Sequence, residues 1–284
     1  MANAGKNQEE KSNPSPAATK RIEEKQIEER TAIGAHVVHE TIRREGEDEL
    51  KRSSSALAWS GLAAGLSMGF SLVAEALLAA HLPDSMWRPL ITKLGYSVGF
   101  LIVVLGRQQL FTETTLTVVL PLLSRKDLST IVSVLRLWAV VLASNMVGTY
   151  LFALCVARVA MFDPDVQQAL DHVSREGLGA GFGVVVMRGI FAGWLIALMV
   201  WLLPGAETAR VSIIIIITYL IGIGGFNHIV AGSNKMFYLV ATGAESWGWF
   251  FAHFFAPTLL GNIVGGVSLV AFLGHAQVVA GKET

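Results

Sequence analysis

The chain has 284 residues, of which 52% are apolar and only 15% charged, a composition typical of an integral membrane protein and too apolar for an ordinary water-soluble domain. Its 22 basic and 22 acidic residues cancel, and ten of the basic ones precede Ser53, so no basic stripe remains to neutralise phosphates and no nucleic-acid partner is expected. One cysteine, Cys155, excludes a disulfide framework and a cysteine-based metal site, and no metal or cofactor is expected.

The first fifty residues are polar and lack the apolar core of a cleavable signal peptide. Residues 1–20 have no apolar periodicity and are predicted to be a disordered tail. Residues 21–52 carry charges of both signs, with Ile33, Val37 and Ile42 near helical spacing. This pattern predicts an amphipathic cytoplasmic helix on the membrane surface or across a pore mouth, and a solvated helical tail fits it equally well.

Residues 53–277 are predicted to form an all-α transmembrane transport domain, followed by a C-terminal tail over residues 278–284. The six predicted spans cover residues 55–80, 90–123, 128–160, 179–203, 211–242 and 254–273. Glycines four residues apart in the first, fourth and last spans indicate close helix packing. Residues 245–253, with Trp247 and Trp249, are predicted to be an interfacial turn.

The second and fifth spans are longer than one bilayer requires, and polar or glycine-rich stretches interrupt them at Arg107–Thr112 and Gly222–Lys235. Irregular backbone at membrane depth is tolerated only where it is buried in protein or lines a watery cavity. Each overlong span is therefore predicted to be a broken helix beside a pore.

The two interruptions belong to an internal repeat. Val103-Val104-Leu105-Gly106 lies 118 residues before Ile221-Gly222-Ile223-Gly224, and Asn145-x-x-Gly148 lies 117 before Asn262-x-x-Gly265. Three spans per half is an odd number, so the second half must be inverted relative to the first. Such paired breaks mark a permeation site near the midplane.

His228 is the only histidine predicted at that midplane. It could donate a hydrogen bond or a proton to a passing anion, or it could be a core histidine satisfied by neighbouring backbone. Thr112 offers a hydroxyl at the first break, and Leu110 and Phe111 could form an apolar constriction there or serve ordinary packing.

Four of the charged residues within the predicted spans stand out, because a charge at the centre of a span costs at least ~2.5 kcal/mol and should be paired or face water. They are Arg107, Glu113, Glu75 and Arg188. We expect Arg107 to pair with Glu113, or Arg188 with Glu75. Such pairs would either adjust the electrostatics of a pore or close it.

Three stretches resemble motifs of the formate/nitrite transporter family: LFTETTLTVV (110–119), GFNHIVAGS (225–233) and PTLLGNIVGG (257–266). The likeness covers residues 53–277, and residues 107–113 and 193–196 look most like a branch from enterobacterial inner membranes. The resemblance implies an aquaporin-like inverted-repeat fold and a homopentamer with one pore per protomer. It also implies small monovalent anions such as formate, nitrite, hydrosulfide or lactate as substrates.

In the family, the residues here numbered Leu110, Phe111, Thr112 and His228 flank the pore centre, and Phe226 and Asn227 belong to the histidine signature. The chain departs from the family at three positions. Asn227 stands where Glu is common, Gly232-Ser233 where Asn-Met is common, and Gly193 where an Asn is common.

These observations favour a channel or proton-coupled transporter for a small monovalent anion or its conjugate acid. A neutral-solute pore and a non-transporting scaffold or sensor plugged by ion pairs are the alternatives. An enzyme is not expected, because no nucleophile–base pair, metal-ligand spacing or phosphate loop is present. The basic N-terminal residues predict a multi-pass protein of the bacterial inner membrane, surrounded by lipid, with both termini cytoplasmic.

Overall fold

The computed structural model describes residue 20 and residues 34–269. All of the predicted N-terminal tail except Lys20, residues 21–33 of the predicted amphipathic helix, and the predicted C-terminal tail lie outside the described residues. The described part of the amphipathic helix is α1, which runs over Ala35–Lys51.

The described chain is helical throughout, with short connections. The first half contains α2 (Ser54–His81), α3 (Arg88–Thr92), α4 (Tyr96–Leu105), α5 (Phe111–Thr117), α6 (Val119–Arg125) and α7 (Leu128–Arg158). The second half contains α8 (Pro164–Arg175), α9 (Phe182–Leu202), α10 (Arg210–Ile223), α11 (Ile229–Thr242), α12 (Trp247–Trp249), a π-helix (Phe250–Phe255) and α13 (Ala256–Leu269). Turns of 3₁₀-helix cover Lys93–Gly95 and Leu203–Gly205.

Several of these elements can cross a bilayer. Among the described residues, the stretches long and apolar enough are Ser54–His81, Arg88–Leu105, Leu128–Arg158, Phe182–Gly205 and Trp247–Ser268. The apolar helix α10 is shorter, and with α11 it makes up the broken fifth segment. The prediction of an all-α membrane fold with a broken second and fifth span is confirmed.

Polar residues begin the two longest spans. The Ser53 side chain accepts a hydrogen bond from the N–H of Ala56 at 3.3 Å, and Asp127 Oδ1 accepts one from the N–H of Thr130 at 2.8 Å. These caps satisfy amides that have no partner inside their helix, so α2 and α7 start where the apolar sequence starts.

The predicted interfacial turn over residues 245–253 is wrong. Helix begins at Trp247, where Ser246 Oγ accepts a hydrogen bond from the N–H of Trp249 at 3.1 Å, and it continues through the π-helix into α13. The Phe250 ring is buried and lies 4.6 Å from that of Phe237, centroid to centroid. These aromatic residues therefore include side chains that pack against the protein.

Spaced glycines bring the helices of each half together, as predicted. A Cβ atom on Gly65 would lie 2.3 Å from the carbonyl oxygen of Asn145 on α7, and one on Gly193 would lie 2.4 Å from that of Asn262 on α13. Only glycine permits these helices to approach so closely. The close contact positions both asparagines next to the breaks.

The two breaks have the same backbone geometry. Helix stops at Leu105 and at Ile223, 118 positions apart, and the second residue after each stop has a positive φ, +49° at Arg107 and +61° at Gly225. The last residue of each break is extended, with φ and ψ of −104° and 124° at Leu110 and −99° and 127° at His228. The predicted repeat is thus present at the level of individual dihedral angles.

One asparagine from the third span of each half binds each break. Asn145 Oδ1 accepts the N–H of Phe111 at 2.9 Å, and its Nδ2 donates to the carbonyls of Gly61 and Gln109 at 2.8 and 2.9 Å. Asn262 repeats this arrangement, accepting the N–H of Ile229 at 2.8 Å. Its Nδ2 donates to the carbonyls of Gly189 at 2.9 Å and Asn227 at 2.8 Å.

Both breaks are shorter than predicted. The non-helical residues are 106–110 and 224–228, and Thr112 and Lys235 already belong to α5 and α11. Gly232, which contributed to the longer prediction, lies within helix α11. A Cβ there would lie 2.5 Å from the Phe254 ring, so this glycine allows close packing.

We expect Gly193→Ala to lower the melting temperature of the detergent-solubilised protein, because overpacking against the α13 backbone costs about 1–3 kcal/mol. The matched control is Gly183→Ala in the first turn of the same helix, where the added Cβ meets no atom within 4 Å. It should be neutral or stabilising by up to about 1 kcal/mol. Equal melting temperatures for the two variants would contradict the packing argument.

We expect Asn145→Ala and Asn262→Ala to destabilise the protein to a similar extent, by about 2–4 kcal/mol each, because each removes three hydrogen bonds, two of them to backbone groups at a break. Thermal unfolding in detergent measures the loss, and Val147→Ala on the outer face of α7 is the control. A large loss for only one of the two asparagines would show that the breaks are not equivalent.

Candidate permeation site

The centre of the site is a hydrogen bond between the two halves of the chain. Thr112 Oγ1, in the first turn of α5, lies 2.7 Å from His228 Nε2, and both side chains are buried. His228 Nδ1 accepts the N–H of Ala231 at 3.1 Å, so in the neutral ring the proton is on Nε2. Nε2–H then donates to Thr112 Oγ1, which leaves the threonine hydroxyl proton free to donate to a third group.

Aromatic rings surround this pair. Phe100, which the sequence did not single out, packs edge-on against His228 with 5.0 Å between centroids. Phe226 stacks on Phe191 at 5.4 Å. Of the two residues expected to form a constriction, Leu110 is fully buried and Phe111 is buried against Trp138 at 6.0 Å.

A cavity of about 260 Å³ extends from His228 to the connection between α8 and α9. Phe226, Asn227 and His228 line its inner end. Its outer part is lined by charged side chains: Lys93, Glu176, Arg188 and Lys235. Asn227 is held in place by its backbone, because its N–H donates to the Arg188 carbonyl at 3.3 Å.

Two lysines and two glutamates form a compact ion-pair cluster at the outer end. Lys93 Nζ lies 2.6 Å from Glu75 Oε2, and Lys235 Nζ lies 3.1 Å from the same carboxylate, which is fully buried. Glu176 Oε2 bonds to Lys93 Nζ and lies 3.7 Å from Lys235 Nζ. The Lys235 ammonium also lies 5.9 Å from the centre of the Tyr96 ring.

Glu176 stands in the connection between α8 and α9, at the edge of this cluster. Partial burial raises the pKa of its carboxyl, but the ammonium groups of Lys235 and Lys93 outweigh that effect, and the pKa lies below its ordinary value. The Glu176 carboxylate is therefore ionised at neutral pH and balances one lysine charge.

Sequence reasoning missed Lys93, Lys235 and Glu176, which fell at the start of the predicted second span, at the end of the predicted second break and between the third and fourth spans, respectively. Two signals point to them in retrospect. Glu75 is the one formally charged residue of α2 and requires a buried cation, and Lys235 lies two helical turns after His228 on the same face of α11.

Both predicted ion pairs are wrong. Glu75 pairs with the two lysines, and Arg188 lines the cavity. Arg107 is exposed in the break, whereas Glu113 Oε1 is buried without a hydrogen-bond partner. The two residues are separated because α5 begins at Phe111 and carries the Glu113 side chain away from the break.

Helix α1 covers the other end of the domain, near the start of α7. Val38 and Ile42 are buried against Leu116 and Leu120. Glu49 accepts hydrogen bonds from side chains of the first broken segment: Thr117 Oγ1 at 2.6 Å and Gln109 Nε2 at 3.1 Å. Because α1 directly precedes the 28-residue α2 and Glu75 lies near the far end of that helix, α1 and the charged end of the cavity occupy opposite ends of the domain.

The chain matches a family model and curated relatives over most of its length. The family model for formate/nitrite transporters matches residues 36–276. The inner membrane protein YfdC of Escherichia coli K12 is 41% identical over 251 residues, which are 88% of this chain and 81% of that protein. The formate channel BtFdhC of Bacillus thuringiensis is 27% identical over 243 residues, 83% of this chain and 92% of that protein.

Solved structures of channels share the fold. A pentameric formate channel with formate bound superimposes with a TM-score of 0.68 at 22% identity, covering 80% of this chain and 98% of that one. An FNT family ion channel superimposes with a TM-score of 0.63 at 19% identity, covering 86% of this chain and 99% of that one. These relatives are transporters and channels, which confirms the expectation that the protein is not an enzyme.

The resemblance inferred from the three sequence motifs is therefore confirmed, and with its multi-pass helical fold and its two asparagine-bound breaks, this chain belongs to the formate/nitrite transporter family.

Proposed function

We propose that this protein conducts a small monovalent anion of the formate or nitrite type, or its conjugate acid, through a pore centred on His228 and Thr112. The observation that carries the proposal is the Thr112–His228 hydrogen bond at the inner end of a cavity whose outer end holds three cations. Cations attract an anion into the cavity, and the free threonine hydroxyl proton can meet it at the centre.

The rings around the centre oppose passage of a bare charge. Phe100 and Phe226 offer no hydrogen bonds, and an unpaired ion in such surroundings is strongly disfavoured. A weak-acid anion crosses more easily as its neutral acid, so a proton supplied near His228 lowers the barrier. This argument favours proton-coupled transport, in which the His228 ring takes up a proton from solvent and passes it to the anion, while the Thr112 hydroxyl donates only a hydrogen bond.

The charged residues do not support a plugged scaffold. That alternative required Arg107–Glu113 or Arg188–Glu75 pairs across the breaks, and the ion pairs of Glu75 are made instead with Lys93 and Lys235 at the cavity wall. A neutral-solute pore is a second candidate, because the cluster of two lysines and two glutamates is formally uncharged.

We further propose that the protein is a homopentamer of the inner membrane with one pore per protomer and with both termini cytoplasmic. The pentameric assembly of the formate channel with the same fold supports this. Large apolar side chains exposed on α2, α7 and α9, such as Trp59, Leu135 and Met187, fit contact with lipid or neighbouring protomers. On this orientation the cavity with Lys93 and Glu176 opens to the periplasm and α1 covers the cytoplasmic end.

We expect His228→Asn to reduce uptake of labelled formate or nitrite into proteoliposomes at least about tenfold, equivalent to ~1.4 kcal/mol in the barrier. Asparagine keeps a hydrogen-bond donor but cannot transfer a proton at neutral pH. His81→Asn, at an exposed end of α2, is the control and should transport like the wild type.

Two results would select the alternatives. No flux of any small anion above empty liposomes would refute the anion pathway. Osmotic swelling with water or a small polyol that is insensitive to anions would identify a neutral-solute pore.

A further inference from the structure

The connection between α8 and α9 brings a carboxylate onto the two cavity lysines. Glu176 directly follows Arg175, the last residue of α8, and is followed by Gly177 and Gly179 with φ of +81° and +83°. A Cβ on Gly179 would meet no atom within 4 Å, and one on Gly177 would meet only Arg188 Nη1 at 3.8 Å. Space is therefore open beside the backbone at these two glycines, while Leu178 between them packs against the core.

The two carboxylates of the cluster differ in how firmly they are held. Glu75 lies in the last two turns of α2 with a side chain that is fully buried, whereas the Glu176 side chain is 37% exposed. Removing the Glu75 carboxylate would leave two buried ammonium groups with only the partly exposed Glu176 as a partner, which is costly. The Glu176 carboxylate lies at the cavity and is the more accessible of the two.

Glu176 also determines the charge that the cavity presents. Its lining contains the cations Lys93, Lys235 and Arg188, and Glu75 lies behind the two lysines. With Glu176 in place, these five groups sum to one positive charge, and without it to two. A carboxylate is moreover the same chemical group that formate presents to a binding site.

We propose that Glu176 acts as an internal ligand of an anion subsite formed by Lys93 and Lys235, and that a small carboxylate or similar planar oxyanion binds there by displacing it. The proposal rests on the anion pathway proposed above and adds a subsite and a competitor to it. Competition with Glu176 weakens anion binding, and conduction requires a site that binds strongly enough to fill and weakly enough to empty.

The experiment that tests the subsite is calorimetry of sodium formate and sodium nitrite binding to the full-length, detergent-purified protein. Glu176→Gln keeps the size of the side chain but removes the competing charge, and it should lower the dissociation constant about tenfold. Asp165→Asn, an exposed residue at the start of α8 on the same side, removes the same charge away from the cluster and should leave the dissociation constant unchanged.

Two results would overturn the proposal: no tighter binding by Glu176→Gln than by the wild type, or an equal gain in Asp165→Asn, which would indicate general surface electrostatics. If Glu176→Gln does not fold, Glu176→Asp is the second variant. Its side chain is one methylene shorter, so its carboxylate should bind the two lysines less well and anion binding should again become tighter. No tightening in this variant would also overturn the proposal. Tighter binding without flux in any variant would support the subsite and refute transport, whereas normal flux without tighter binding would refute the subsite alone.

Discussion

The structure depends on satisfying the backbone of two short non-helical segments at membrane depth. Hydrocarbon offers no hydrogen bonds, so each segment must find partners within the protein. Asn145 and Asn262 supply them, each accepting one amide and donating to two carbonyls. The glycines facing these asparagines allow the helices to approach closely enough for the bonds to form. Helix packing and the broken helices are thus parts of one arrangement.

The two halves share a backbone and differ in side chains. At corresponding positions, Leu110 in the first break is matched by His228 in the second, and Arg107 by Gly225. The repeat provides a symmetric frame that brings the breaks together, and the differing side chains place a histidine in only one of the two breaks. His228 meets Thr112 of the other half because both lie at helix starts held by the asparagines.

The charged residues are arranged by a second constraint, the high cost of an unpaired charge in the membrane. Glu75 satisfies it with two lysines from different helices, so the cluster joins α2, the turn before α4, α11 and the connection after α8. Because these elements also form the cavity wall, the same ion pairs that stabilise the domain set the electrostatics of the proposed anion route. At the other end of the domain, Glu49 of α1 accepts hydrogen bonds from two neutral side chains, Gln109 and Thr117.

The sequence by itself determined the number of spans, the repeat and the approximate positions of the two breaks, because span length follows from bilayer thickness and polar or glycine-rich residues within an apolar run can be recognised locally. It also singled out His228 and Thr112, which the structure joins by a hydrogen bond. Only the tertiary structure decided the ion pairs, which join residues 18, 83 and 160 positions apart along the chain. The predicted pairing of Glu75 with Arg188 failed for that reason: composition shows that a buried carboxylate requires a cation, but which cation lies within reach depends on how helices from both halves pack.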